Sequence, residues 1–159
     1  MAARPSTTER VFDVISVMAL VMIVGVVAFH WGDLPDRIPR HFGITGKPDR
    51  WGGKGSLLIL PFAALVASGL LTFAGRNQSM INLPMTVDRD DPEVQAVLRS
   101  MAGCLKAVLL LVFLYLTIAS VLTAAGQAQG LGRAFLPVSM AAVFGSLIYY
   151  LRRLNSIGS

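Results

Sequence analysis

The sequence predicts an all-α integral membrane protein, with four transmembrane helices in a bundle and an ordered Pro/Gly-rich loop between helices 1 and 2. Of the 159 residues, 54% are hydrophobic and only 14% are charged, whereas soluble domains average about 25% charged residues. The apolar residues are also concentrated in long stretches without charge. A bilayer core of about 30 Å needs about 20 residues of helix, and four stretches reach or approach that length. We therefore treat residues 1–159 as a single transmembrane domain.

The first predicted span, residues 11–31, has no charged residue from Val14 to Phe29. A cleaved signal peptide is the alternative, because Arg4 and Arg10 precede the segment and Val26-Val27-Ala28 resembles a cleavage site. The apolar region of a signal peptide is shorter, about 7–15 residues. The length of this segment therefore favours an uncleaved membrane anchor.

The second and fourth predicted spans are residues 56–75 and 134–152. No charge occurs from Ser56 to Gly75 or from Ala134 to Leu151. Backbone groups inside lipid must be hydrogen-bonded internally, so each span is predicted to be helical. A chain of this length cannot bury four such helices away from water, which argues against a soluble protein. The short segment 126–133 makes helices 3 and 4 antiparallel neighbours.

Helix 3 is predicted to begin at Pro92, before its membrane span at residues 101–125. Asp91 is a suitable N-cap, and proline suits the first helical position. Apolar residues then recur on one helical face, at Val94, Val97, Leu98 and Met101. A helix from 92 to 125 is about 51 Å long at 1.5 Å per residue. Its first turns must therefore protrude, lie along the membrane surface or bend near Gly103.

The loop of residues 32–55 differs in composition from the rest of the chain. It holds nine of the 23 Gly and Pro residues, and Trp31 and Trp51 flank its two ends as aromatic residues do at membrane surfaces. The segment Gly46–Asp49, "GKPD", is predicted to form a turn. Connections longer than about 12–15 residues are usually functional or disordered. Because this one combines aromatic residues with residues of restricted backbone, we expect it to be ordered.

The string "LPDRIPRHFGITGKPDRWGGK", residues 34–54, resembles the motif of the membrane family called domain of unknown function 1648. That domain also occurs in relatives of the bacterial immunity protein SdpI. The matching positions are Leu34, Pro35, Asp36, Ile38, Pro39, His41, Phe42, Gly46, Pro48, Asp49, Trp51, Gly52 and Lys54. The segment "INLP", residues 81–84, also resembles family members, so the resemblance covers about the first half of the chain.

The resemblance implies a bacterial inner-membrane protein without a known reaction. SdpI-type proteins protect against a membrane-active toxin and can sequester a regulator, but they carry spans beyond the four found here. We expect a non-catalytic protein that binds a peptide, toxin or protein partner through residues 32–55, in an immunity or signalling-like role. The candidate binding residues are Pro35, Asp36, Pro39, Arg40, His41, Phe42, Gly46, Pro48, Asp49, Trp51, Gly52 and Lys54.

Other interpretations of the loop remain open. Its charged residues could simply hold the loop together and contact lipid phosphates. His41 could act as a general base assisted by Asp36 or Asp49, although no nucleophile motif accompanies it. His30 and His41 with the two aspartates could bind zinc, but their spacing fits no standard zinc site. We therefore predict no catalytic residue, no metal and no cofactor.

Composition also excludes several classes of protein. The single cysteine, Cys104, excludes an intramolecular disulfide and a CxxC site. The net charge of +5 fits lipid headgroups and membrane topology, so no nucleic-acid partner is expected. Intramembrane ionisable residues mark ion pathways, and here only Asp13 and Lys106 come close, near span ends where they can reach the interface. A transporter or channel is therefore not expected.

Charge places both termini in the cytoplasm by a small margin. With four spans, the side of the termini holds eight basic residues and the other side six, and the more basic side is cytoplasmic. The eight are Arg4, Arg10, Arg76, Arg89, Arg99, Lys106, Arg152 and Arg153. The loop of residues 32–55 then faces outward.

This orientation can be tested by cysteine labelling on intact cells. In a Cys104→Ser background, Thr45→Cys should react with a membrane-impermeant thiol reagent and Ser79→Cys should not, since residue 45 lies in an outward-facing loop and residue 79 in a cytoplasmic one. Labelling after cell lysis controls for reactivity at both positions. The reverse pattern on intact cells would place the termini outside.

Overall fold

The computed structural model describes residues 5–84 and 86–157 and is mostly helical. In this part of the chain, four helices are long and apolar enough to cross a membrane. Helix α1 spans Thr7–His30, α2 spans Ile59–Arg76, α3 spans Pro92–Ala124 and α4 spans Phe135–Ile157. Short 3₁₀ helices occupy Lys54–Leu58 and Gln78–Met80. Arg4, which contributes to the topology prediction, lies outside the described residues.

Helix α3 is the central element, because it packs against α1, α2 and α4. In its middle, Leu110 is buried together with Ala19 and Ile23 of α1 and Ala64 of α2. Helix α4 packs chiefly on α3, away from α1 and α2. A cleft is consequently left between the start of α2 and the start of α4.

The starts of α1 and α3 are capped as their sequences require. Ser6 accepts a hydrogen bond from the backbone of Glu9, and the Glu9 side chain accepts one from the backbone of Ser6, which is a capping box. At α3, Asp91 accepts a hydrogen bond from the backbone N–H of Glu93 over 2.7 Å, and Pro92 is the first helical residue. The predicted start of helix 3 is therefore confirmed.

The first turns of α3 pack on other parts of the protein. The predicted apolar face forms a buried cluster with Tyr150 and Leu154 at the end of α4, and the members on α3 are Val94, Val97, Leu98 and Met101. Phe12 of α1 lies against Gly103, and the helix continues through that glycine without interruption. These contacts make the first turns of α3 part of the packed helices.

Residues 37–53 form a β-hairpin, which corrects the all-α expectation. Strand β1 spans Arg37–Phe42 and strand β2 spans Pro48–Gly53, paired antiparallel. The turn lies at residues 43–46, where the Gly46 N–H donates to the Gly43 carbonyl over 2.8 Å, so the predicted "GKPD" turn is wrong. Pro48 and Asp49 lie in β2 because this earlier turn already reverses the chain.

The base of the hairpin is anchored in the helix core by two apolar residues. Leu34 is 7% exposed and Ile38 is 1% exposed. Both pack against Val27 of α1, Leu57 of the first 3₁₀ helix and Val121 of α3. Burying side chains of this size contributes about 1.5–3 kcal/mol each relative to exposure in water. This contact fixes the position of the hairpin over the ends of α1 and α3.

Lys106 is buried between helices, although its place near a span end predicts that it reaches the interface. Its Nζ donates to Asp13 Oδ1 of α1 over 2.7 Å and to Thr72 Oγ1 of α2 over 3.2 Å. One turn earlier on α1 and two turns earlier on α3, Glu9 pairs with Arg99. The two ion pairs advance in the same direction along both helices, so α1 and α3 run parallel. Lys106 therefore connects α1, α2 and α3.

This arrangement predicts that Asp13→Asn destabilises the protein more than Lys106→Met. Asn leaves a buried ammonium without its counter-charge, which costs about 3–5 kcal/mol for a fully buried pair. Because Asp13 is 58% exposed, we expect about 2 kcal/mol. Met fills the space of Lys106 and removes the charge, so its cost should stay within about 1 kcal/mol. Thermal unfolding in detergent measures both, and equal midpoints would contradict the role of the pair.

Candidate functional site

The candidate site is the hairpin and the space beneath it. The strands pair irregularly at Arg40, which is an extra residue on β1. The pairs on its two sides are Pro39 with Trp51 and His41 with Arg50. A bulge of this kind bends the strand and redirects the side chain. The stem of Arg40 runs across Gly52, where an added Cβ would lie 3.2 Å from Arg40 Cδ, so Gly52 leaves the room that Arg40 occupies.

A second irregularity lies at Asp49, which is an extra residue on β2 between the pairs of His41 with Arg50 and Phe42 with Pro48. His41 Nδ1 is 2.6 Å from Asp49 Oδ1. The side chains are 59% and 49% exposed, respectively. A carboxylate at Nδ1 accepts the N–H and leaves Nε2 as the ring acceptor. The structure thus brings His41 and Asp49 together.

Asp36 takes no part in that pair. It precedes β1, and its carbonyl accepts a hydrogen bond from the Lys54 N–H over 3.0 Å. Lys54 Nζ lies 5.1 Å from the centre of the Trp31 ring and 3.4 Å from the Leu34 carbonyl. These contacts close the base of the hairpin, so Asp36 and Lys54 serve its geometry. Trp51 is 45% exposed, beside Pro39 on the neighbouring strand.

The candidate metal ligands are not gathered in one place. His30, at the end of α1, donates its Nδ1–H to the Val26 carbonyl oxygen over 3.0 Å, which occupies that nitrogen. Within residues 5–84 and 86–157, no group of three or more His, Cys, Asp or Glu side chains is placed to hold a metal ion. Of the suggested ligands, only His41 and Asp49 are neighbours.

A groove of about 550 Å³ lies beneath the hairpin, between the start of α2 and the start of α4. We call it the hairpin groove. The hairpin contributes Arg40, His41 and Phe42 to it, α2 contributes Ile59 and Leu60, and the lining residues of α3 and the region of α4 are Leu116, Ser120, Leu131, Phe135 and Leu136. Its depth is therefore apolar, and polar side chains of the hairpin lie at its mouth.

The hairpin tip is held by direct contact between two backbones. The Leu131 N–H donates to the Gly46 carbonyl over 2.7 Å. Gly46 has φ +76°, and a Cβ on it would lie 2.5 Å from the Gly132 carbonyl oxygen. Both the left-handed backbone and the close approach therefore require glycine at this position.

The burial of Leu34 and Ile38 and the part of the groove formed by α3 and α4 were not predicted from the sequence. Leu34 and Ile38 match the motif, but their burial follows from the helices that surround them. Leu116 and Leu136 lie in apolar spans and carry no local pattern that marks a groove. The three glycines of the segment 126–133, at 126, 130 and 132, are an available sequence signal for an unusual backbone, and the structure gives each of them a positive φ.

Comparisons with known proteins find similarity over part of the chain. Residues 17–65 match the family described as Domain of unknown function (DUF1648), and this stretch runs from α1 through the hairpin into α2. An uncharacterized protein of Archaeoglobus fulgidus is 37% identical over 62 residues, which cover 34% of this chain and 34% of the relative. The chain thus spans about a third of the relative that it matches. No solved structure matches the chain.

The tip contact predicts that Gly46→Val lowers stability and Gly53→Val does not. Valine at Gly46 would clash with Gly132 and adopt a left-handed backbone, a strain of about 1–3 kcal/mol. Gly53 has φ −66° and no atom within 4 Å of an added Cβ, so valine fits there. Thermal unfolding in detergent should show a midpoint several degrees lower for Gly46→Val alone. Equal midpoints would mean that the tip contact is dispensable.

The separation of the candidate ligands predicts that purified protein holds no stoichiometric zinc. Elemental analysis after dialysis against zinc-free buffer should give a ratio well below one metal per chain, for wild type and for His41→Ala alike. A ratio near one in the wild type that disappears in His41→Ala would contradict this, since it would show a site built on His41.

Proposed function

We propose that this protein is a non-catalytic, multi-pass protein of the bacterial inner membrane that binds an extended peptide or protein partner through its hairpin. In the bilayer, the helices would form a bundle with residues 32–55 covering its outward end and the termini in the cytoplasm. The support comes from the apolar helices, the similarity of residues 17–65 to DUF1648 and the geometry of the hairpin.

The outer edge of β2 is the observation that carries this proposal. Strand β1 lies against the helices, and within the described residues β2 has no other strand beside it. Residues 49–51 of β2 are exposed, so their outward backbone groups are available. An open edge is a template on which an extended peptide adds as a further strand, with specificity supplied by side chains. Arg50 and Trp51 are the side chains that such a peptide would contact.

The hairpin is already organised before a partner arrives. Its base is held by Leu34 and Ile38, and its tip by the hydrogen bond between Leu131 and Gly46. Ordering a flexible segment on binding lowers affinity. The hairpin is already held at its base and tip, so this cost is small. Ile44 is 83% exposed at the tip, which adds an apolar contact for a partner that covers the hairpin.

A role in toxin immunity or signalling fits the resemblance of residues 34–54 to proteins related to SdpI. The toxin, in that case, would be a membrane-active peptide, and the open strand edge offers a backbone-directed way to hold one. The similar archaeal protein carries no functional name. The immunity role consequently rests on the motif and on the hairpin.

A second candidate function is catalytic, because His41 and Asp49 form a pair at the mouth of a groove. Asp49 would orient the imidazole so that Nε2 accepts a proton from a bound group. Asp49→Asn separates the two functions, since it keeps the shape but reverses the preferred tautomer. Chemical turnover of a bound partner that disappears in Asp49→Asn, while binding persists, would favour the enzyme.

Site-specific photo-crosslinking tests partner binding. A photoreactive residue replacing Arg50 on β2 should give a covalent adduct with a peptide or protein in the native host. The same residue replacing the exposed Gln127, in the segment at the same end of the molecule, should not. The adduct at Arg50 should decrease several-fold in a His41→Ala background, because His41 holds Asp49, the residue that precedes Arg50 on β2. Equal adducts at both positions would contradict a specific surface.

Stability measurements distinguish recognition from structure. His41→Ala should change the free energy of unfolding by no more than about 0.5 kcal/mol, as exposed substitutions usually do. Trp51→Ala should lower stability, because it removes a large side chain from the strand. If His41→Ala unfolds the protein as readily as Trp51→Ala does, the hairpin is structural and the proposed recognition surface is wrong.

A further inference from the structure

We propose that the hairpin groove binds one acyl chain of an anionic phospholipid from the surrounding bilayer, with the lipid headgroup at Arg40. This inference goes beyond the proposed function, since it concerns the inner side of the hairpin and a lipid, whereas the partner surface is the outer edge of β2. The argument rests on the shape of the groove, its lining and the charge at its mouth.

The groove has the size and lining of a ligand site. Its volume of about 550 Å³ lies within the range of about 300–1,000 Å³ typical of small-molecule pockets. The walls are formed by Ile59 and Leu60 on one side and by Phe135 and Leu136 on the other, and Leu116 of α3 lies between them. An aliphatic chain matches these side chains, and no charged residue lines the part formed by the helices.

The groove also lies where a lipid would enter it. The apolar helices α2 and α4 both begin at this end of the molecule, so in a bilayer this end would lie near the membrane surface. Because α4 packs chiefly on α3, the cleft between α2 and α4 is not closed by a helix-to-helix contact. A chain can therefore lie along α3 while its headgroup stays beside the hairpin.

Arg40 supplies the charge that selects the headgroup. The bulge directs this residue, and its side chain lines the groove mouth. Among the described residues, no carboxylate lies within ion-pair distance of Arg40, and Asp49, the acidic group on the neighbouring strand, is engaged with His41. An arginine without a carboxylate partner suits a phosphate, which it binds through its forked donors. The N-terminal ends of α2 and α4 add positive potential on the same side.

The headgroup must provide most of the selectivity. Lipid tails are as apolar as leucine, so moving a chain from bilayer to groove yields little free energy. A basic residue near a membrane surface attracts anionic lipid by about 1 kcal/mol, or about fivefold in affinity. We therefore expect preference for anionic over zwitterionic lipid and weak dependence on chain length.

Native mass spectrometry of purified, delipidated protein tests this inference. With equimolar phosphatidylglycerol and phosphatidylcholine in detergent, the wild type should retain one phosphatidylglycerol in preference to phosphatidylcholine. Arg40→Gln should reduce that retention about fivefold. Arg50→Gln is the matched control, because Arg50 is exposed on β2 and does not line the groove, and it should retain the lipid as the wild type does.

A second pair of variants tests whether the chain occupies the groove. Ile59→Trp places a large ring in the groove and should reduce retention, while Leu58→Trp, at an exposed neighbouring position outside the lining, should not. Inorganic phosphate at millimolar concentration should not displace the lipid. The inference is wrong if phosphatidylcholine binds equally, if Arg50→Gln matches Arg40→Gln, if Ile59→Trp has no effect or if free phosphate competes. If the crosslinking experiment found no partner at Arg50, the lipid measurements would be unaffected. The two proposals can therefore be tested independently.

Discussion

The burial of Leu34 and Ile38 among the ends of α1 and α3 is the contact on which the rest of this end of the molecule depends. A hairpin of twelve strand residues would be only marginally stable alone in water, and here its base is part of the helix core. With the base fixed, the backbone contact between Gly46 and the segment 126–133 fixes the tip. Because it is held at both ends, the hairpin covers the groove on its inner side. On its outer side, the edge of β2 has no other strand beside it within the described residues.

Irregular pairing gives this small hairpin its chemical character. In a regular pair of strands, alternate residues would point to opposite faces, and neither Arg40 nor Asp49 would have its present direction. The bulge at Arg40 lies where the stem of that side chain crosses Gly52, and Asp49, the extra residue on β2, has its carboxylate 2.6 Å from His41. Bulges are common beside functional sites for this reason. The positions of Arg40 and of the pair of His41 with Asp49 therefore depend on the register of the two strands.

The sequence predicts the helices well because their signals are local. Asp91 and Pro92 start α3 as expected, and the face from Val94 to Met101 is buried as its spacing indicates. The hairpin is missed because Pro39, Pro48 and the glycines are residue types typical of loops. Proline is depleted in strands except at edges and bulges. The burial of Lys106 is also missed, since it depends on Asp13 and Thr72, which lie 93 and 34 residues away along the chain.

The boundaries of the DUF1648 match divide the candidate site in a useful way. Residues 17–65 contain the hairpin, its anchors Leu34 and Ile38 and the α2 wall of the groove. The remaining groove wall comes from α3 and from the region of Leu131 to Leu136, outside the match. The hairpin and its open edge are thus the part of the site that similarity to the family reaches, whereas the groove needs helices that the match does not cover. The proposed partner surface therefore lies inside the matched residues, whereas the proposed lipid groove lies partly outside them.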